Sequence, residues 1–395
     1  MLKKVLKSAR KYRADFLWNL NSQKYVLAKT YTNFFHKNKT VIHPQLTFHP
    51  VRDIIVPIKA NMNSKNISAL YENCIQCPRR CGANRAAGVR GFCGENLELR
   101  AAVSCLHFGE EPPLTVFGGS GAIFFTGCTL RCAFCQNYQI SQQGFGGAIS
   151  KSDFAKICLD LQEAGAENIN LITGSHHIPI LAQFIREAKS AGCALPFCWN
   201  SSAYENVESL EALKDCVDIW LPDFKTLDKD FSKKVFLAQD YPEVAKNSIS
   251  WMIKNFPLKT KIVSKEGRGE KEKILRGVIV RHLFLPGRFE DTANTLAWLK
   301  ENADGKAMIS LMSQYTPVSF REKSEESLKR KSALAAFENR LVSETEDSDL
   351  RDLIAAYDFE NLFYQELNCD TSWLPDFSKP EPFGNALAKV LWHCK

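Results

Sequence analysis

Long apolar runs are missing from this sequence. Nowhere does it approach the ~18 consecutive apolar residues of a membrane span, so a membrane-spanning helix is not expected. The amino terminus is charged and has no apolar stretch leading to a small-residue cleavage site, which argues against a secretory signal. Acids are nearly absent from residues 1–50, where Asp15 alone faces ten Lys and Arg. That surplus exceeds the net charge of +7 carried by the whole 395-residue chain, so the remainder is slightly acidic. A protein that coats nucleic acid through a basic body is therefore not expected, and RNA or DNA binding could reside only in the basic arm. Internal repeats and low-complexity tracts are absent too. With 45% hydrophobic and 24% charged residues, wholesale disorder is excluded. The length suits one large α/β barrel or two to three smaller domains.

Cysteine, by contrast, is abundant. Of fourteen cysteines, seven stand in two tight groups between Cys74 and Cys135. In a reducing compartment such spacings read as metal ligands rather than as a disulfide framework. The other seven are scattered and read as small core residues.

Four segments follow from pattern and composition. Residues 1–70 form a basic arm whose start can make an amphipathic helix with Leu2, Val5, Leu6 and Ala9 on one side. This arm reads either as a targeting segment for a mitochondrion-related organelle or as a solvated extension of a cytoplasmic protein. Residues 71–115 form a Cys-rich cap. Over 116–320, short β-branched runs (122–126, 168–173, 196–200, 218–222, 275–285 and 307–312) alternate with amphipathic helical stretches such as 152–164 and 179–191. Strand–helix alternation repeated about six times predicts a parallel sheet with crossover helices, doubly wound or barrel-like. Residues 321–395 make a charge-rich helical segment and a tail.

The chemistry concentrates in Cys128-Thr129-Leu130-Arg131-Cys132-Ala133-Phe134-Cys135, a C-x3-C-x2-C spacing directly after a predicted strand. Three thiolates can hold three irons of a 4Fe–4S cluster and leave the fourth open to a substrate or cofactor. Zinc would need a fourth ligand, and none stands at ordinary zinc spacing. With Phe134 before the last cysteine, the triplet resembles that of the radical S-adenosylmethionine (SAM) superfamily.

The resemblance extends over about residues 70–390 and is nearest to uncharacterised homologues of pyruvate formate-lyase activating enzyme. It is carried by Cys74-Ile75-Gln76-Cys77-Pro78-Arg79-Arg80-Cys81-Gly82, Gly91-Phe92-Cys93-Gly94, His107-Phe108-Gly109-Glu110-Glu111-Pro112-Pro113 and Gly119-Ser120-Gly121-Ala122-Ile123-Phe124-Phe125. Leu221-Pro222-Asp223-Phe224-Lys225 and Val280-Arg281-His282-Leu283-Phe284-Leu285-Pro286-Gly287 complete it. The resemblance implies a partial (β/α)6 TIM-like barrel with the Cys-rich segment as an N-terminal extension. It also implies SAM as partner: an electron from the cluster breaks the C5′–S bond, and the 5′-deoxyadenosyl radical takes hydrogen from substrate. The electron would come from a donor such as flavodoxin or ferredoxin. The substrate could be a glycine of a glycyl-radical protein, a small molecule or an RNA. A non-catalytic electron-transfer protein is the competing class, but it has no use for polar strand-end residues.

Those residues follow in order. Thr173, Ser175 and His176 stand where the superfamily usually has a Gly-Gly-Glu turn, though Gly174-Ser175 departs from the Thr-Pro-Thr-His of its relatives. Asn200 and Ser201 offer neutral oxygens at the next strand end. Asp223 and Lys225 share one side of a strand; Asp223 suits an ammonium or a bound cation, and Lys225 suits a carboxylate. Arg281 lies in an apolar run, where an acidic partner or ligand carboxylate must accompany it. Gln314 and Tyr315 end the last predicted strand. Cys74, Cys77, Cys81 and Cys93, spaced C-x2-C-x3-C-x11-C, fit either zinc or a second iron–sulfur cluster, with Arg79, Arg80, Arg85 and Arg90 to offset the charge.

Overall fold

A computed structural model describes residues 64–318, 325–365, 367, 374–383 and 387–395. The basic arm, apart from its last few residues, lies outside the described residues. Eleven strands order the described chain. They are β1 (Arg100–His107), β2 (Ser120–Phe125), β3 (Gly147–Ala148), β4 (Ile169–Ile172), β5 (Phe197–Ser201), β6 (Ile219–Pro222), β7 (Lys259–Lys265), β8 (Gly269–Leu283), β9 (Met308–Met312), β10 (Leu362–Gln365) and β11 (Ala388–His393). The sheet runs β10-β9-β8-β6-β5-β4-β2-β1-β11, with β3 paired to β1 and β7 to β8. From β2 to β10 every neighbour along that path is parallel, while β1 and β11 join antiparallel at the other edge. This is the parallel sheet with crossover helices that the alternation predicts, in the partial-barrel form that the resemblance implies.

Alternation along the strands divides the apolar residues between two layers. Ile123, Phe125, Leu171, Trp199 and Trp220 pack outward in the large core that includes the crossover helices Lys151–Glu163 and Ile178–Ser190. Ala122, Phe124 and Ile172 belong to a second cluster, and Cys198, Leu221 and Ile279 to a third that also holds Leu114. Helix starts are chemically marked. Ser150 and Asp153 form a capping box before 151–163, and Asp228 caps Lys229–Phe236.

Three features were not anticipated. Residues 100–107, read with the cap from sequence, are strand β1 of the sheet. The run expected over 275–285 is the far half of a long strand that begins at Gly269 and forms a hairpin with β7. The tail returns to the sheet, where β11 pairs with β1. Alternation methods miss such pieces because β7 is largely exposed and β1 lacks alternation: its six central residues are all buried.

Candidate active site

The cysteine triplet follows β2, on a loop that begins with a backbone only glycine supplies easily. Gly127 has φ +85°, and a Cβ there would come within 2.5 Å of Glu95 Cγ and 2.9 Å of the Cys93 carbonyl oxygen. The cap is thus packed against the loop, and the Cys128 amide donates to that same Cys93 carbonyl at 3.2 Å. Arg79 of the cap fastens the other side. Its guanidinium donates to the carbonyls of Thr129 (2.7 Å), Leu130, Phe236 (2.8 Å) and Leu237 while lying over the Phe92 ring.

All three thiols line one cavity of about 750 Å³. Burial pushes the Cys132 and Cys135 thiols up, opposed at Cys132 by the Lys225 charge and at Cys135 by Ser141 and Arg330. Arg330 comes from helix Glu325–Leu334 and stacks on Tyr138, so a segment far along the chain brings a positive charge to the thiols. Phe134 stands between them in edge contact with Phe236, Tyr315 and Phe337.

The carboxyl ends of β4, β5, β6 and β8, neighbours in the sheet, continue the same wall. Thr173, Asn200, Ser201, Asp223, Lys225 and Arg281 all line the cavity, as do Gln314 and Tyr315. Thr173 adopts φ +64°, and its amide donates to the Asn200 carbonyl at 2.9 Å. Lys225 Nζ reaches Asp223 Oδ2 at 2.7 Å, and Arg281 Nε reaches Asp223 Oδ1 at 2.8 Å. A second Arg281 nitrogen donates to Asn200 Oδ1 at 2.6 Å. Two cations therefore hold the Asp223 carboxyl below its usual range despite burial. Tyr241 staples this turn: its hydroxyl donates to the Asp223 carbonyl and accepts from the Lys225 amide.

Ser175 and His176 do not join that wall. Ser175 donates to the buried Glu205, which also accepts from Trp199 and Ser201. His176 Nε2 donates to the Thr126 carbonyl at 2.8 Å, and burial lowers its pKa to about 3. Behind it the buried Arg85 donates to the His176 carbonyl and to the His177 ring, tying the cap to this turn. Gly174 is demanded by packing, since a Cβ would meet Leu181 at 2.5 Å and Trp199 at 2.8 Å.

The four cap cysteines converge. Cys81 and Cys93 sulfurs both lie beside Gly91, and Arg85 reaches Cys74 Sγ at 3.7 Å. Cys74, Cys77 and Cys93 are buried and Cys81 is exposed. Burial raises the Cys77 thiol to about 12 and the Cys93 thiol to about 11, and Cys74 pushes both further up.

Residues 122–276, which hold the triplet and most of this wall, match the family model of the Radical SAM superfamily. That segment is a radical SAM domain. Over 310 residues the chain is 28% identical to an uncharacterised protein of Methanocaldococcus jannaschii, covering 76% of this chain and 79% of that one. Among solved structures, Streptococcus suis SuiB is similar with TM-score 0.40 and 11% identity over 61% of this chain; the match spans only 47% of SuiB. A domain of pyruvate-formate lyase-activating enzyme from Bacteroides vulgatus is similar with TM-score 0.31 and 11% identity, covering 48% of this chain and 92% of that domain.

The radical SAM family uses a 4Fe–4S cluster and SAM, and the residues present fit both. Among the described residues no three His, Cys, Asp or Glu side chains are grouped to hold a single metal ion. Three thiols spaced along the wall of a large cavity, with Lys225 and Arg330 nearby, suit the corner irons of a cluster. Sequence reasoning did not single out Glu205, Tyr241 or Arg330, because hydrogen bonding to a strand-end turn leaves no spacing signal. Glu110 and Glu111 stand in the sequence only as part of a motif, yet both line the cavity.

Proposed function

We propose that this protein is a radical SAM enzyme in which Cys128, Cys132 and Cys135 hold the cluster and the β4–β8 strand ends hold SAM. When bound, the cluster supplies the electron that cleaves SAM to methionine and a 5′-deoxyadenosyl radical. The observation that carries this reading is a single cavity lined by the three thiols together with Asp223, Lys225 and Arg281. Asp223 accepts the SAM ammonium. Lys225 and Arg281 face its carboxylate, while Thr173, Asn200 and Ser201 supply neutral hydrogen-bonding groups. Ser175 and His176 act one layer back, holding the turn that presents Thr173. Phe134 and Tyr315 close the cavity against water.

Cys74, Cys77, Cys81 and Cys93 bind a second metal centre, zinc or an iron–sulfur cluster, both of which take four thiolates. With Cys81 exposed, an iron–sulfur cluster here would give a flavodoxin- or ferredoxin-like donor a route for the electron. Activating-enzyme kinship offers a glycyl-radical protein as substrate, with a small molecule as the alternative.

Electron paramagnetic resonance of the anaerobically reconstituted, reduced protein tests the SAM site. Adding SAM should change the cluster signal in the wild type, and in Lys225→Met the change should need at least tenfold more SAM. A signal indifferent to SAM in the wild type contradicts the proposal.

A further inference from the structure

The proposed chemistry leaves part of the cavity unused. The β1–β2 connection turns inward before the short helix Pro112–Thr115 and sets Glu110 and Glu111 side by side in the cavity wall. Two adjacent carboxylates inside a barrel are costly unless cations meet them. Arg281 is the cation at hand, but Asp223 and Asn200 engage it at 2.8 and 2.6 Å, and it reaches Glu110 only at 3.4 Å. Glu111, 2% exposed, has an Oε2 with no hydrogen-bond partner among the described residues.

Further unspent polar groups surround the pair. Asn170 lies close enough to Glu110, and Ser310 to Glu111, for each to favour the ionised carboxylate slightly. Yet the Asn170 amide, on both its atoms, and the Ser310 hydroxyl lack partners of normal geometry. His107 Nδ1 stands 3.7 Å from Glu110 Oε1, beyond hydrogen-bond reach. A buried polar cluster left this incomplete calls for a ligand with donors to give. The charges say which kind. Asp223, Glu110 and Glu111 face Lys225 and Arg281, one acid too many, while His107 is held neutral by burial, its pKa lowered to about 4. The unpartnered Glu111 Oε2 and Asn170 amide ask for a cation that brings its own N–H donors. Both glutamates are pushed up by burial even against the pull of Arg281, as expected of carboxylates that lack a cation.

We infer that the substrate carries a protonated amine, which binds between Glu111 and Glu110 with Asn170 and Ser310 completing its hydrogen bonds. This inference rests on the proposed radical SAM reading for the meaning of "substrate", but the amine site itself is a binding property that can be read separately. Arg281 is the shared partition: one edge faces the SAM row at Asp223 and Asn200, the other faces Glu110. An amine held there lies next to the SAM site, where a radical would be released. The site is internal, with Glu111 2% exposed, which favours a free amine over a backbone glycine of a folded partner.

Saturation-transfer NMR on the anaerobic, oxidised holoprotein provides the test, with propylammonium as probe and 1-propanol and propionate as controls of like shape. Propylammonium should bind at least tenfold more tightly than either control, and should stay bound when SAM is saturating. Glu111→Gln should weaken propylammonium at least tenfold, and Glu111→Asp should restore part of the loss. Equal binding of the three probes, preference for propionate, displacement of the amine by SAM, or full affinity in Glu111→Gln would each overturn the inference. Should Glu111→Gln fail to fold, the wild-type preference among the probes still decides. SAM cleavage without amine preference would sink this inference alone; amine preference without SAM cleavage would sink the radical SAM reading alone.

Discussion

Single residues set the local terms of this site, and Gly127 is the most constrained of them. A side chain there meets the left-handed backbone penalty and the Cys93 carbonyl together. Gly127→Ala is expected to cost about 2–4 kcal/mol and to separate the cap from the cluster loop. Thermal unfolding and iron content after reconstitution would both fall; an unchanged melting temperature counts against the tight packing described. His282 sets a pH dependence. Its Nδ1 donates to the Phe224 carbonyl, and in the neutral ring that burial favours its Nε2 accepts from the Thr292 hydroxyl. Burial lowers its pKa in the folded protein. The unfolded chain therefore binds a proton first as pH falls below about 6.5, and the stability this histidine contributes above that pH is lost progressively towards the lower folded value. In urea unfolding between pH 7 and 5, His282→Gln should lose less stability than the wild type, by up to about 1.4 kcal/mol per pH unit. Parallel losses in the two proteins would contradict a neutral buried ring.

At the scale of elements, the cap and the cluster loop behave as one piece. Arg79 joins the cap to four carbonyls on the cluster loop and at the end of the helix Lys229–Phe236. Its replacement by Ala leaves those acceptors unmet and is expected to cost about 2–3 kcal/mol. Limited proteolysis should then cut the cap over 71–99 faster, with less iron retained; a protease pattern like the wild type's would show the clamp to be idle. Much of this scale was legible beforehand. The β-branched runs gave the central parallel strands to within a few residues, because strands buried on both faces are short, apolar and bounded by polar turns. The edge elements were not legible. β1 has no alternation, β7 is polar, and β11 pairs with a strand nearly three hundred positions away, which no local pattern encodes.

On the scale of the whole molecule, the barrel gathers residues spread from Glu110 to Tyr315 around one cavity. The cysteine triplet, Thr173, Asn200, Ser201, Asp223, Lys225 and Arg281 could be picked out because strand ends in parallel α/β folds collect polar residues that a buried sheet otherwise excludes. Ser175 and His176 follow the same rule in sequence but turn away in space, since Gly174 lets the chain tuck against Trp199 and Arg85 draws the turn towards the cap. Arg330 was invisible because its helix reaches the thiols only through the tertiary fold. The central claim is that this cavity cleaves SAM reductively, and its most direct measurement is product analysis after anaerobic reconstitution with iron and sulfide. With dithionite and SAM, the wild type should form 5′-deoxyadenosine and methionine in equal amounts, while Cys132→Ala forms neither. Absence of 5′-deoxyadenosine from the fully reconstituted wild type, or its formation at wild-type rate by Cys132→Ala, would contradict the account.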